Sequence, residues 1–133
     1  MADLPQPAAG TWSDVMGLRF IKADATEVVA ELDVARKHVQ AAGLVHGGVF
    51  CGMIESIASM GAAIAAKAMG RTVVGIENQT SFLRPVKSGT LVGRATPVHI
   101  GKTTQLWAAE IRNSDDEVCA NGRVRLMCVE QPR

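Results

Sequence analysis

Residues 47–69, Gly-Gly-Val-Phe-Cys-Gly-Met-Ile-Glu-Ser-Ile-Ala-Ser-Met-Gly-Ala-Ala-Ile-Ala-Ala-Lys-Ala-Met, decide the fold. Phe50, Met53, Ile54, Ile57, Gly61 and Ile64 recur at three- and four-residue spacing, which predicts a helix. Most other positions are alanine or glycine, so the helix is apolar nearly all round and must be covered on most sides. At 1.5 Å per residue the segment would run to about 34 Å, long enough to cross a bilayer. Glu55, Ser56 and Ser59 interrupt it, small residues outnumber large ones, and strand-like segments flank it, so a membrane span is rejected. Gly70 supplies the C-terminal stop.

Upstream, Val28, Ala30 and Leu32 alternate with Glu27, Glu31 and Asp33, the period of a half-buried strand, and residues 16–22 predict a shorter strand before it. Residues 1–12 hold prolines and no period and read as a loose arm, leaving 13–133 as one domain. Downstream, strands are expected at 72–83, 90–99, 103–112 and 117–129, with turns at 85–89 and 113–116. Pro97 marks an edge or a bulge in the second of these. Two strands, a long helix and four antiparallel strands make an α+β fold in which the sheet wraps the helix. One sheet cannot cover such a helix fully, and 133 residues supply no second layer, so a homo-oligomer is expected.

Composition narrows the function. The chain is 47% apolar and 20% charged, with a formal net charge of +1, two Trp, three Phe and no Tyr. Near-neutral charge and few aromatics argue against a nucleic-acid surface. Three cysteines without C-x-x-C read as reduced thiols, and Asp3 with two early prolines leaves no apolar leader, so a cytoplasmic protein is expected. No metal-ligand spacing is present.

Glu55 is the one acid of the apolar helix, and Ser59 lies one turn on along the same face. A buried carboxylate is costly unless it is paired or functional; the plain alternative is a solvated acid where the helix surfaces. Gly43-Leu44-Val45-His46-Gly47-Gly48 leads directly into the helix. Bare backbone N–H groups at a helix start suit a carbonyl oxygen that gains negative charge, and glycine permits close approach. His-Gly-Gly followed two turns later by an acid therefore predicts donor and carboxylate facing one pocket. His46 could be a base, an orienter or a loop histidine satisfied locally, with orientation preferred; His38 and His99 read as structural. Cys51 reads as a small buried hydrophobe, and Cys119 and Cys128 as structural. Arg84 and Lys87 end a strand at a turn, and Lys102, Thr103 and Thr104 open a later one. Each offers donors for a phosphate, and each alone would pass as solvated surface.

Gln40-x-x-Gly43-Leu44-Val45-His46-Gly47-Gly48, Glu55 with Ser59, and Thr80-Ser81-Phe82-Leu83-Arg84-Pro85-Val86-Lys87-x-Gly89 together resemble the hotdog-fold acyl-CoA thioesterases. The likeness is to the phenylacetate-pathway type, nearest the 4-hydroxybenzoyl-CoA thioesterases that carry a glutamate on the helix. It runs from about residue 16 to the end. The resemblance implies a long helix wrapped by an antiparallel sheet, a dimer of dimers with active sites at the dimer interface, acyl-CoA as substrate, and no metal or organic cofactor. It makes Glu55 the catalytic carboxylate, as nucleophile or as general base, and Gly47 the N–H donor to the thioester carbonyl. His46 and Gln40 would position thioester and water, and Ser59, from the partner subunit, would orient the water or the carboxylate. Arg84, Lys102, Thr103, Thr104 and Arg133 would meet the coenzyme A phosphates, and Phe82 with the strand around Asn78 would line the acyl pocket. The related naphthoyl-CoA branch carries histidine where Phe82 stands, which favours a hydroxybenzoyl-like acyl group; phenylacetyl, naphthoyl and medium-chain groups stay as alternatives. Two rivals weaken on the residues: a hotdog hydratase would need an Asp/Asn–His pair that is not found, and an acyl-CoA sensor has no helix-turn-helix to read DNA with.

Overall fold

The computed structural model describes residues 4–131. Its elements are α1 (Trp12–Met16), β1 (Arg19–Ala23), β2 (Val28–Asp33), a 3-10 turn (Arg36–His38), α2 (Gly47–Lys67), β3 (Arg71–Phe82), β4 (Thr90–Ile100), β5 (Thr104–Arg112) and β6 (Val118–Glu130). The strands form one antiparallel sheet in the order β1-β2-β4-β5-β6-β3, and α2 lies along its concave face. This is the hotdog architecture.

Alternation in the strands sends Leu32, Leu91, Trp107, Ile111, Val124 and Leu126 inward, where they meet Met53, Ile54, Ile57, Ala58 and Ala62 of α2, all fully buried. Alanine and glycine let the helix sit close to the sheet: a Cβ on Gly61 would stand 2.4 Å from the Trp107 ring. Length and a mean hydropathy of 1.7 would suit α2 to a membrane, yet its large side chains are spent on the sheet. Two buried polar groups are satisfied within this packing: the Trp107 indole N–H donates to Gln105 Oε1 (2.8 Å), and Gln105 Nε2 donates to the Ala62 carbonyl (3.0 Å).

Two segments differ from expectation. Residues 16–22 were expected as a strand; instead Trp12–Met16 form one helical turn, closed by Gly17 at φ +80°, and β1 begins at Arg19. A single turn is too short to show a period. Residues 4–12 were expected to belong to a loose arm, but Gln6 exchanges two 2.9 Å hydrogen bonds with the Phe20 backbone, and Leu4 packs against the core. Of the two readings of Pro97, the bulge holds: the register shifts between Pro97 and His99, in an interior strand.

Candidate active site

The N-terminus of α2 is built by its approach loop. His38 is buried; its Nδ1 accepts the Ala35 N–H (2.8 Å), so Nε2 carries the proton and donates to the Met16 carbonyl (2.7 Å). The His38 carbonyl in turn accepts the His46 N–H (2.8 Å), which fixes where the helix begins. His46 caps it: Nδ1 accepts the Gly48 N–H (2.8 Å), while the His46 carbonyl accepts the Val49 N–H (2.9 Å). The Gly47 N–H has no acceptor among the described residues. It is left as a free donor at the positive end of the helix dipole. The Phe82 ring lies over this point, 2.7 Å from where a Gly47 Cβ would be, and is braced on Phe50 (6.0 Å between centroids).

Two turns along, Glu55 is half-buried on α2 where the helix meets the edge strand β3. Ser59 Oγ donates to Oε2 (3.2 Å), and Asn78 Nδ2, from β3, donates to Oε1 (3.1 Å). No cation pairs with this carboxylate among the described residues. Gly75 on β3 makes room for it, since a Cβ there would stand 2.4 Å from Oε2. Asn78, Thr80 and Gly75 were not assigned to the carboxylate from sequence; the signal was an amide and a bare glycine in a strand, residue types that strands otherwise disfavour.

Within one chain the donor and the carboxylate do not meet. Gly47 and Glu55 are eight residues apart on one straight helix, about 12 Å at 1.5 Å per residue, too far for both to touch one carbonyl group. Ser59, expected to act from a partner, is bonded to Glu55 of its own chain. Gln40 turns back on its own loop, where its Oε1 accepts the Ala42 N–H. The phosphate candidates fall at two ends of the sheet. Arg84 follows β3 beside the α2 N-terminus and pairs with Glu117 (3.5 Å). Lys102, Thr103 and Thr104 lie at the other end, where the Lys102 carbonyl accepts from Arg71 Nη1 (3.4 Å). Arg133 lies outside the described residues.

The family comparison rests on the same segment. The thioesterase superfamily model matches residues 42–120, from the approach loop through the helix and most of the sheet. The chain belongs to that superfamily and is a thioester hydrolase. The Mycobacterium tuberculosis protein Rv1847 is 42% identical over 132 residues, covering 96% of this chain and 94% of that protein. Its structure superposes with a TM-score of 0.89 over 92% of this chain and 98% of that one, at 43% identity. The Haemophilus influenzae thioesterase HI1161 superposes at 0.86 with 29% identity, covering 92% of this chain and 85% of that one. The 1,4-dihydroxy-2-naphthoyl-CoA hydrolase of Listeria monocytogenes is 29% identical over 110 residues, 83% of this chain and 89% of that protein.

Proposed function

We propose that this hydrolase acts on a small aromatic acyl-CoA, with each active site assembled between two copies of the chain. The observation that carries the reading is Glu55: a half-buried acid on an apolar helix, held by two neutral donors and committed to no cation among the described residues. The free N–H of Gly47 supplies what the thioester carbonyl needs, and the Phe82 ring beside it offers an aryl contact. One relative of this chain is named for an aryl-CoA hydrolase.

Two antiparallel copies of α2, about a two-fold axis, set the Gly47 of one beside the Glu55 of the other. β3 is an edge strand that exposes Val74 and Ile76, and it suits antiparallel pairing with its own copy. The same pairing brings the Arg84 end of one β3 next to the Lys102–Thr104 end of the other, so cations separated in one chain meet across the pair. There, with Arg133, they would hold the nucleotide phosphates of coenzyme A. Two such dimers would make the tetramer. Cys51, Cys119 and Cys128 are all free thiols, which supports a cytoplasmic setting.

In the reaction the carbonyl oxygen takes the Gly47 N–H as charge develops on it. The Glu55 carboxylate attacks the carbonyl carbon directly, or removes a proton from the water that attacks. The C–S bond breaks and coenzyme A leaves as thiolate. On the direct route water then cleaves the acyl–Glu55 anhydride, freeing the acid and the carboxylate; on the water route the proton taken up by Glu55 passes to the thiolate. The test is free-thiol release from benzoyl-, hydroxybenzoyl-, phenylacetyl-, naphthoyl- and straight-chain acyl-CoAs, beside Glu55→Ala. Aryl-CoA turnover that drops about 10²-fold or more in the variant supports the reading. Coenzyme A binding without turnover of any member would replace it with an acyl-CoA sensor, and a preference for straight chains would replace the acyl class.

A further inference from the structure

Asn78 has every polar atom of its side chain engaged. Nδ2 donates both to Glu55 Oε1 (3.1 Å) and to the Cys51 carbonyl (3.1 Å), one turn before Glu55 on the same helix. Thr80 Oγ1 donates to Asn78 Oδ1 (2.7 Å). These partners leave one orientation of the amide. A flip would set Oδ1 against a carbonyl and a carboxylate, both acceptors, and turn the NH₂ group toward the Thr80 hydroxyl. β3 and α2 are thus tied together at the acid itself, through a chain that runs from Thr80 to Asn78 to Glu55 and is completed by Ser59 on the other carboxylate oxygen.

We infer that Asn78 is a positioning residue for hydrolysis, with Thr80 as its support, an inference that rests on the acyl-CoA hydrolase reading above. A glutamate has three rotatable bonds before its carboxylate and, unheld, would sample several directions on a half-buried helix face. Two neutral donors, one per oxygen, hold one direction and keep the carboxylate free of any cation that would compete for its charge. Each oxygen keeps a lone pair for the thioester or for water. A shift of about 1 Å in such a group costs on the order of 10²-fold in rate.

The experiment compares wild type with Asn78→Ala, Asn78→Asp and Thr80→Val on the best acyl-CoA of the panel, reading kcat, KM, pH dependence and melting temperature. Asn78→Ala is expected to lower kcat about 10- to 100-fold with KM little changed, and Thr80→Val to lower it less. Asn78→Asp keeps the shape but replaces the donor with a carboxylate beside Glu55. Its loss should be largest at pH 8 and shrink toward pH 5, where a protonated Asp carboxyl can donate in place of the amide. Unchanged kcat in Asn78→Ala overturns the role while leaving the hydrolase reading intact. Equal losses in Asn78→Ala and Asn78→Asp at every pH, tracking lower melting temperatures, overturn it as well, since that is the pattern of a purely structural contact. Absence of any turnover by wild type overturns the hydrolase reading and the role with it.

Discussion

Gly75 on β3 faces Glu55 on α2 so closely that a Cβ on residue 75 would stand 2.4 Å from the carboxylate oxygen Oε2. The atom it would strike is the end of a flexible side chain, and Gly75 lies on an exposed edge strand beside a register shift. Gly75→Ala should therefore spare the fold and displace the acid. Expected is a fall in kcat of about tenfold or more, with a melting temperature near that of wild type. A normal kcat would mean that Glu55 does not work from the position it occupies here.

The long helix, the four strands after it and the pair of Glu55 with Ser59 are legible in sequence, because each depends on spacing of only two to four residues. Contacts between elements are not. Asn78 reaches Glu55 across 23 positions, and nothing in the pattern of β3 marks it except an amide among strand formers. The α1 turn is hidden because five residues cannot display a period. The helical rise, readable from spacing alone, separates Gly47 from Glu55 within one chain, so a pocket that holds both needs a second copy. His38 was readable as structural, since a histidine without a partner in sequence is more often satisfied by backbone than by chemistry, and its ring does bridge two backbone groups.

Two helical glycines lie under tryptophans, and the difference between the rings predicts different outcomes. Gly61 faces Trp107, which is fully buried and pinned through Gln105 to the Ala62 carbonyl. Gly52 faces Trp12, whose ring is 43% exposed and can swing into solvent. Overpacking costs about 1–3 kcal/mol, while Gly→Ala in a helix returns about 1 kcal/mol. Gly61→Ala should lower stability by up to about 2 kcal/mol in urea unfolding, and Gly52→Ala should leave it unchanged or raise it by up to about 1 kcal/mol. Equal effects would contradict the claim that Trp107 is locked in place.

Acid should loosen the β1–β2 side of the sheet. Glu27 is held below the ordinary carboxylate range by its hydrogen bond from Lys22 and then by Arg94. Asp33 is held low by Arg19 and then by Thr90, and Asp24 by the hydroxyl and N–H of Thr26 and the N–H of Glu27. Each carboxyl is more acidic folded than unfolded, so its contribution is present above the unfolded value, near pH 4, and is lost as pH falls through the folded one. All three are solvent-screened, so the effect is local rather than large. Amide protection factors, taken against the intrinsic exchange rate at each pH from 6 to 3, should fall first in β1 and β2 relative to β5 and β6, and Glu27→Gln should reduce the difference. A uniform fall across the sheet would show that these pairs do not set the acid response.

Gly47 and Glu55 lie about 12 Å apart along one helix, and that separation yields a mixing experiment. Gly47→Pro removes the N–H at the first helical position, where proline is otherwise well tolerated, and the exposed Phe82 ring can move aside for it. Glu55→Ala removes the carboxylate. Each variant alone should be close to inactive. In a mixed pair, the site that takes Gly47 from the Glu55→Ala chain and Glu55 from the Gly47→Pro chain is whole, and the other site lacks both groups. Unfolding the two variants together and refolding the mixture should therefore restore roughly a quarter of wild-type turnover: random pairing makes half the dimers mixed, and each mixed dimer holds one working site out of two. A mixture no more active than its components would show that Gly47 and Glu55 of different copies do not share a site, and the two-copy site would have to be abandoned.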